Sequence, residues 1–221
     1  MKEREPASPY YPILLNIQGK RCLVVGGGEI ALRKVQTLLE HGAIVEVVSP
    51  ALCPELNQLV KEGAVRPIQR DYKTEDLNNV LLVIAATDDT KVNAKIAADA
   101  RKKGILVNVV DKPDISDFIV PSYFRRGDIV VAVSTSGKSP ALARKIRVEL
   151  ERNLKAEYAR LAVIANEVRS EVKQLGITIS GDDWQEVLNL NSLIELIKRG
   201  KSKEAREIML TKLKTMGKRK V

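Results

Sequence analysis

Apolar and polar positions in the first half of the chain fall into short blocks whose period switches between strand and helix. Arg21–Val25 is an apolar run closed by Gly26-Gly27-Gly28 and reads as a buried parallel strand. Over residues 29–41 the apolar positions recur at helical spacing, with Ile30, Val35, Leu38 and Leu39 near one face and Gly42 as the stop. A second strand, Ile44–Val48, precedes a short helix over 54–62 that ends at Gly63. Residues 65–69 read as a third strand, interrupted by Pro67. Residues 81–86 form a buried strand, and Thr87-Asp88-Asp89 is a turn able to cap a helix over 91–103, with Asp88 the expected capping carboxylate. Gly104 ends that helix before a further strand over 105–110. Alternation of this kind predicts right-handed crossovers and a parallel sheet covered on both faces.

The pattern changes after Asp111. Residues 117–120 and 128–134 read as two short strands, with Arg125-Arg126-Gly127-Asp128 as their turn. Thr135-Ser136-Gly137-Lys138 is a loop, and Ser139-Pro140 pairs an N-cap with proline at the first helical position of a helix running to about residue 154. Beyond it the pattern is wholly helical. Asp182-x-x-Gln185 and Ser192-x-x-Glu195 read as capping boxes, and Gly200 closes the second of those helices. Residues 1–12, with three prolines, are an irregular lead-in. The expected organisation is a Rossmann-type α/β domain over 1–113, a connecting segment over 114–155, and a helical C-terminal domain over 156–221.

Composition narrows the class. The 221 residues are 44% hydrophobic and 29% charged, as in an ordinary soluble globular protein. The longest apolar run, residues 80–86, is far shorter than a membrane span, and Met1 to Pro6 holds no apolar signal region, so the expected location is cytoplasmic and off the membrane. The two cysteines, Cys22 and Cys53, and the single histidine, His41, form no cluster at metal-ligand spacing, and no metal is expected. Cys22, inside a strand, reads as a packed thiol. The net charge of +9 calls for an anionic partner, either a nucleic acid or a small, heavily carboxylated molecule. Aromatic residues make up only 4% of the chain, too few for base-stacking platforms. Part of the charge lies in Lys212, Lys214, Lys218, Arg219 and Lys220, which also fits a solvated tail.

The strand, glycine turn and helix at 21–41 form the setting of a phosphate site, with Ala31 in the third place of a G-x-G-x-x-A pattern. Gly26 makes the turn, Gly28 lets the backbone approach a pyrophosphate, and the helix N-terminus presents free N–H groups and the positive end of its dipole. A ligand-free glycine turn would share the pattern. The acid that usually grips the ribose is missing from the end of strand two, which reads Ser49-Pro50, and Glu46 reads as a strand-face residue. In an open parallel sheet ligands lie beyond the carboxyl ends of the strands, which marks Gly26 to Glu29, Thr87 to Asp89, and Asn108 to Asp111. Asp111 follows an apolar strand directly. It reads either as a general base, its pKa raised by partial burial, or as a turn-capping carboxylate. A second cluster runs from Ser134 to Arg147. Thr135, Ser136 and Lys138 feed a helix N-terminus, and Arg144 and Arg147 share a helix face directed away from the apolar stripe of Leu142, Ile146 and Leu150, while Arg125 and Arg126 add charge. This set reads either as a carboxylate-binding surface or as a solvated basic helix.

Taken in order, Gly26 to Lys34, Ala85 to Asp88, Val107 to Asp111, Phe118 to Ser122 and Ser139 to Arg144 resemble the siroheme synthase N-terminal family of precorrin-2 dehydrogenases, some of which are also sirohydrochlorin ferrochelatases. The resemblance covers about residues 13–150, and the methyltransferase domain of the fused bacterial siroheme synthases has no counterpart in it. It implies that NAD is the cofactor and that precorrin-2 is oxidised to sirohydrochlorin, with Asp111 as general base. It implies cofactor contacts at Gly28, Glu29, Ile30, Ser49, Pro50 and Ala51, with Thr87 on the same edge. A serine that some members carry falls on Thr135. The segment 114–155 becomes a homodimerisation and substrate segment, and the basic residues gain an object in an anionic tetrapyrrole.

Three readings compete. The first is a dehydrogenase working with a separate chelatase. The second is a bifunctional enzyme that also inserts Fe²⁺ or Co²⁺. The third is a non-catalytic NAD-sensing module whose basic face binds nucleic acid. Residues 156–221 offer no basic recognition helix, which favours the enzyme over the third.

Overall fold

Each apolar run of the first half pairs with its neighbours in parallel, as the alternation requires. A computed structural model describes residues 10–219, whose contacts divide the chain into two units, Met1–Val120 and Pro121–Val221. The expectations placed on Met1 to Pro6 and on Lys220 lie outside the described residues.

In the first unit β1 (Arg21–Val25), β2 (Ile44–Val48), β3 (Val65–Ile68), β4 (Leu82–Ala85) and β5 (Leu106–Val109) form a sheet ordered β3-β2-β1-β4-β5. The chain steps outward from β1 to β3 and then returns to the other side of β1, creating a switch point between β1 and β4. Val25 pairs with both Val48 and Ala85, so three strands end level and their loops open together. Successive side chains serve opposite cores. Leu23, Val25, Val83 and Val107 pack under Ile96, Ala97 and Ala100 of α3 (Thr90–Lys102). Cys22, Val24, Val45 and Ile84 pack under Ala31, Val35 and Leu38 of α1 (Glu29–Glu40) and Leu56 of α2 (Pro54–Lys61). Burial pushes the Cys22 thiol up to about 11, so it stays protonated as a packing group. Glu46 is a buried strand-face residue, 2.7 Å from Arg21.

The second unit begins with a hairpin of β6 (Ser122–Arg126) and β7 (Ile129–Val133), followed by α4 (Pro140–Asn153). Ser139 caps α4 by accepting the Leu142 N–H at 3.3 Å. The rest of the unit comprises α5 (Ala156–Gln174), β8 (Ile177–Thr178), α6 (Gly181–Val187), α7 (Leu190–Lys198), α8 (Ser202–Met216) and β9 (Lys218–Arg219). Its core joins Ile164, Val168 and Val172 of α5 to Leu193 of α7 and Met209 and Leu213 of α8. Among the described residues no helix is long and apolar enough to cross a membrane.

Several expectations need correction. Residues 117–120 form no strand. The Asp117 carboxylate accepts the Val107 N–H at 3.1 Å, and the Phe118 carbonyl accepts from the Asn108 side chain at 2.9 Å. One backbone bond, from the Asp117 N–H to the Val107 carbonyl at 2.8 Å, completes the contact, so the segment braces β5 without a strand ladder. The hairpin therefore starts at Ser122, and Arg125 and Arg126 lie in β6 instead of the turn. Asp89, not Asp88, caps α3, accepting the Lys91 and Val92 N–H groups at 2.7 and 3.2 Å. The capping box at α6 is Ser180 with Asp183, because Ser180 keeps the extended backbone while Asp182 is already helical. Asn189 caps α7 in the same way, leaving Ser192 inside the helix. The C-terminal part is not wholly helical, since β8 and β9 pair. Ile30 is exposed, because it sits in the first turn of α1, beyond the end of the sheet that covers Val35 and Leu38. Leu142, Ile146 and Leu150 are also exposed, and only Ala143 of α4 is buried in this unit.

Candidate functional site

The level ends of β1, β2 and β4 open onto a cleft of about 940 Å³ in the first unit, within the range of small-molecule and cofactor sites. Two loops interlock at its floor. Gly26 donates its N–H to the Val48 carbonyl at 2.9 Å, and Cys53 donates to the Gly27 carbonyl at 2.8 Å. Gly26 has φ +129, and a Cβ there would lie 2.2 Å from the Ala86 carbonyl oxygen; at Gly27 a Cβ would lie 1.9 Å from that of Ala51. Both positions are closed to a side chain by backbone. Gly28 differs, for a Cβ there would meet nothing within 4 Å. Gly28 is also the N-cap of α1 and brings no side-chain cap, so the first-turn N–H groups face open space at the positive end of the helix dipole. An open backbone and an uncapped helix end fit a pyrophosphate.

Gly26, Gly28, Glu29, Ile30, Ser49, Pro50, Ala51 and Thr87 all line this cleft. Not every polar group among them is free. The Ser49 hydroxyl donates to the Ala51 carbonyl at 2.7 Å, and the Thr87 hydroxyl donates to the buried Asn93 amide oxygen at 2.8 Å. Both hydroxyls hold loops in place. Four further lining residues, Arg70, Asp71, Tyr72 and Lys95, were not singled out by the sequence. Arg70 makes a two-pronged pair with Asp76 at 2.9 and 2.5 Å. Burial works to raise the Asp76 pKa, but the hydrogen bonds from Arg70 and the Lys73 N–H, with the Arg70 charge, hold it below the usual carboxylate range. Tyr72 donates to the buried Asp99 at 3.2 Å, and the Lys95 ammonium lies 5.5 Å from its ring centre. Burial and the Asp99 charge push the Tyr72 phenol up. For Arg70, Asp71 and Tyr72 the signal was the strand-end rule itself, applied to β3 as well as to its neighbours.

Asp111 stands two residues beyond β5, at the carboxyl edge of the same sheet, and is not part of the cleft lining. Its backbone has φ +58, a left-handed conformation that non-glycine residues rarely adopt and that recurs at functional sites. The carboxylate is exposed, so the partial burial expected from its place after an apolar strand is absent. Lys34, half-buried on α1, shares its electrostatic surroundings; burial lowers the Lys34 pKa, opposed by Asp111.

The second unit holds the basic cluster. Ser136 has φ +53, and the Thr135 hydroxyl accepts the Ser139 N–H at 2.9 Å, fixing the loop ahead of α4. Arg126 and Arg147 converge on Glu151, the former at 3.6 Å, so part of the cluster is neutralised internally. Arg125, Lys138 and Arg144 remain exposed. Among the described residues no group of three or more His, Cys, Asp or Glu side chains is arranged to hold a metal ion.

Two family models match the chain. One described as "Putative NAD(P)-binding" matches residues 13–122, and one described as "Sirohaem biosynthesis protein central" matches residues 126–153. The siroheme synthase of Nitrosococcus oceani is 42% identical over 198 residues, spanning 89% of this chain and 42% of that protein. That of Methylobacillus flagellatus is 47% identical over 163 residues, spanning 74% of this chain and 35% of that protein. The chain thus spans less than half the length of these curated relatives. A solved structure, SirC, precorrin-2 dehydrogenase, matches with a TM-score of 0.68 at 29% identity, covering 93% of this chain and 100% of that one.

Proposed function

The chain belongs to the siroheme synthase N-terminal family, and from that premise we propose that it is an NAD-dependent precorrin-2 dehydrogenase. Gly28, with the N–H groups of Glu29 and Ile30, holds the pyrophosphate, and Ser49, Pro50 and Ala51 border the cofactor at the end of β2. Bound NAD⁺ supplies the hydride acceptor. Oxidation to sirohydrochlorin removes a hydride and a proton, and Asp111 takes the proton. Arg125, Lys138 and Arg144 attract the carboxylates of the substrate, with Thr135 and Ser136 as hydrogen-bonding groups. The enzyme works in the cytoplasm as a homodimer. The exposed stripe of Leu142, Ile146 and Leu150, at 51%, 38% and 42%, supports a second copy as its cover.

The observation that carries this reading is the exposed Asp111 carboxylate, held in a left-handed backbone on the edge where the uncapped α1 end and open Gly28 lie. Asp111→Asn tests it. Precorrin-2 oxidation is expected to fall by roughly 10²–10⁴-fold, the usual worth of a positioned general base, with NAD⁺ binding retained. Full turnover in this variant would remove Asp111 from the reaction.

A further inference from the structure

The cleft lacks an acid at the end of β2, yet something must meet the ribose of a dinucleotide. Ser49 stands at that point, and its hydroxyl already donates to the Ala51 carbonyl. The neighbouring strand end is better equipped. β3 pairs with β2 through Val48 and Ile68, and the Ser49 N–H donates to the Ile68 carbonyl at 3.2 Å. Residues 70–72 therefore open onto the cleft directly beside Ser49.

We propose that the carboxyl end of β3 reads the ribose 2′ position: Asp71 offers its carboxylate to a free 2′-hydroxyl, and the Arg70–Asp76 pair withholds the cation that a 2′-phosphate would need. This rests on the reading of the cleft as a dinucleotide site. Arg70 and Lys95 are the cleft's basic residues. A free arginine beside a ribose would attract a 2′-phosphate with a two-pronged bond. Here both prongs are turned to Asp76, whose side chain is only 5% exposed and also accepts the Lys73 N–H at 2.8 Å. To reach a phosphate, Arg70 would have to abandon a buried carboxylate, which is strongly unfavourable. The same guanidinium donates to the Asp71 carbonyl at 2.9 Å, so it also fixes the residue that carries the exposed acid. Lys95 is directed over the Tyr72 ring. Asp71, Asp88 and Glu29 add negative charge to the lining, which opposes a phosphate further.

The test is titration of the full chain with NAD⁺ and with NADP⁺, reading the ratio of the two affinities. The native chain is expected to favour NAD⁺. Asp71→Asn removes the carboxylate that accepts from the hydroxyl and repels the phosphate, and is expected to narrow the ratio about tenfold. Asp76→Asn releases Arg70 and is expected to move the ratio toward NADP⁺ by about tenfold or more. Should Asp76→Asn fold poorly, Asp71→Asn decides alone, since that position is exposed. A native chain indifferent to the 2′-phosphate, or an unchanged ratio in the folded variants, overturns the proposal while leaving the dinucleotide reading intact. Binding of neither dinucleotide overturns both.

Discussion

The three adjacent glycines of the first loop differ physically: Gly26 and Gly27 are closed to a side chain by neighbouring backbone, whereas Gly28 is open. Gly27 sits under the Ala51 carbonyl, so Gly27→Ala forces two backbones apart. It should destabilise the fold by about 1–3 kcal/mol, the range for overpacking a tight site, as measured by denaturant unfolding. Gly28 faces open space, so Gly28→Asp should leave unfolding nearly unchanged while placing a carboxylate against the pyrophosphate. NAD⁺ affinity should then fall by two orders of magnitude or more, about 2.7 kcal/mol, in a calorimetric titration. That Gly26, Gly28 and Ser49 to Ala51 share one cleft was legible because strand, turn and helix follow each other without a gap. The position of Asp111 at a strand end was legible too, but its exposure was not, because the backbone after β5 turns left-handed at the residue itself. Arg70, Asp71 and Tyr72 escaped notice for a different reason. They follow a strand of four residues containing Pro67, and the pairing of that strand with β2 is a long-range fact.

Elements were readable where hydrophobic period and caps agree. β1, β2 and α1 fall within a residue of expectation because apolar runs and glycine stops coincide. The hairpin starts later than the pattern predicts because residues 117–120 resemble a strand, while Asp117 ties them to Val107 of β5 by one side-chain and one backbone bond. Caps were displaced by one to three residues where several polar residues adjoin, as with Asp88 and Asp89. Since Asp89 accepts two N–H groups, Asp89→Ala should cost about 1 kcal/mol, seen as a lower denaturation midpoint, whereas Asp88→Ala should have little effect. The short turn at Thr74–Leu77 is pinned by Asp76, whose carboxyl is held below its ordinary 3.8. A carboxyl depressed in the folded state contributes stability that is fully present above pH 3.8 and is lost as pH falls through its lower folded value. The stability gap between the native chain and Asp76→Asn should therefore be constant near neutrality and shrink below about pH 4. A gap that widened in acid would contradict the assignment.

For the whole molecule, the net charge of +9 pointed to an anionic partner, and the structure shows how little of the basic cluster is internally paired. Arg126 and Arg147 are held by Glu151, but Arg125, Lys138 and Arg144 stay exposed. Exposed charges attract a polycarboxylate through a screened field, with a Debye length near 10 Å at 0.1 M salt. The KM for precorrin-2 should accordingly rise several-fold between about 0.05 and 0.5 M salt, measured at saturating NAD⁺, with little change in kcat. A KM independent of salt would remove these residues from substrate capture. The proposed reaction draws on both the cleft and Asp111, and it is measured most directly by anaerobic absorbance of the purified chain with precorrin-2, with and without NAD⁺. Sirohydrochlorin and NADH are expected in equal amounts, and only when NAD⁺ is present. NAD⁺ binding without any formation of sirohydrochlorin would contradict the proposed reaction.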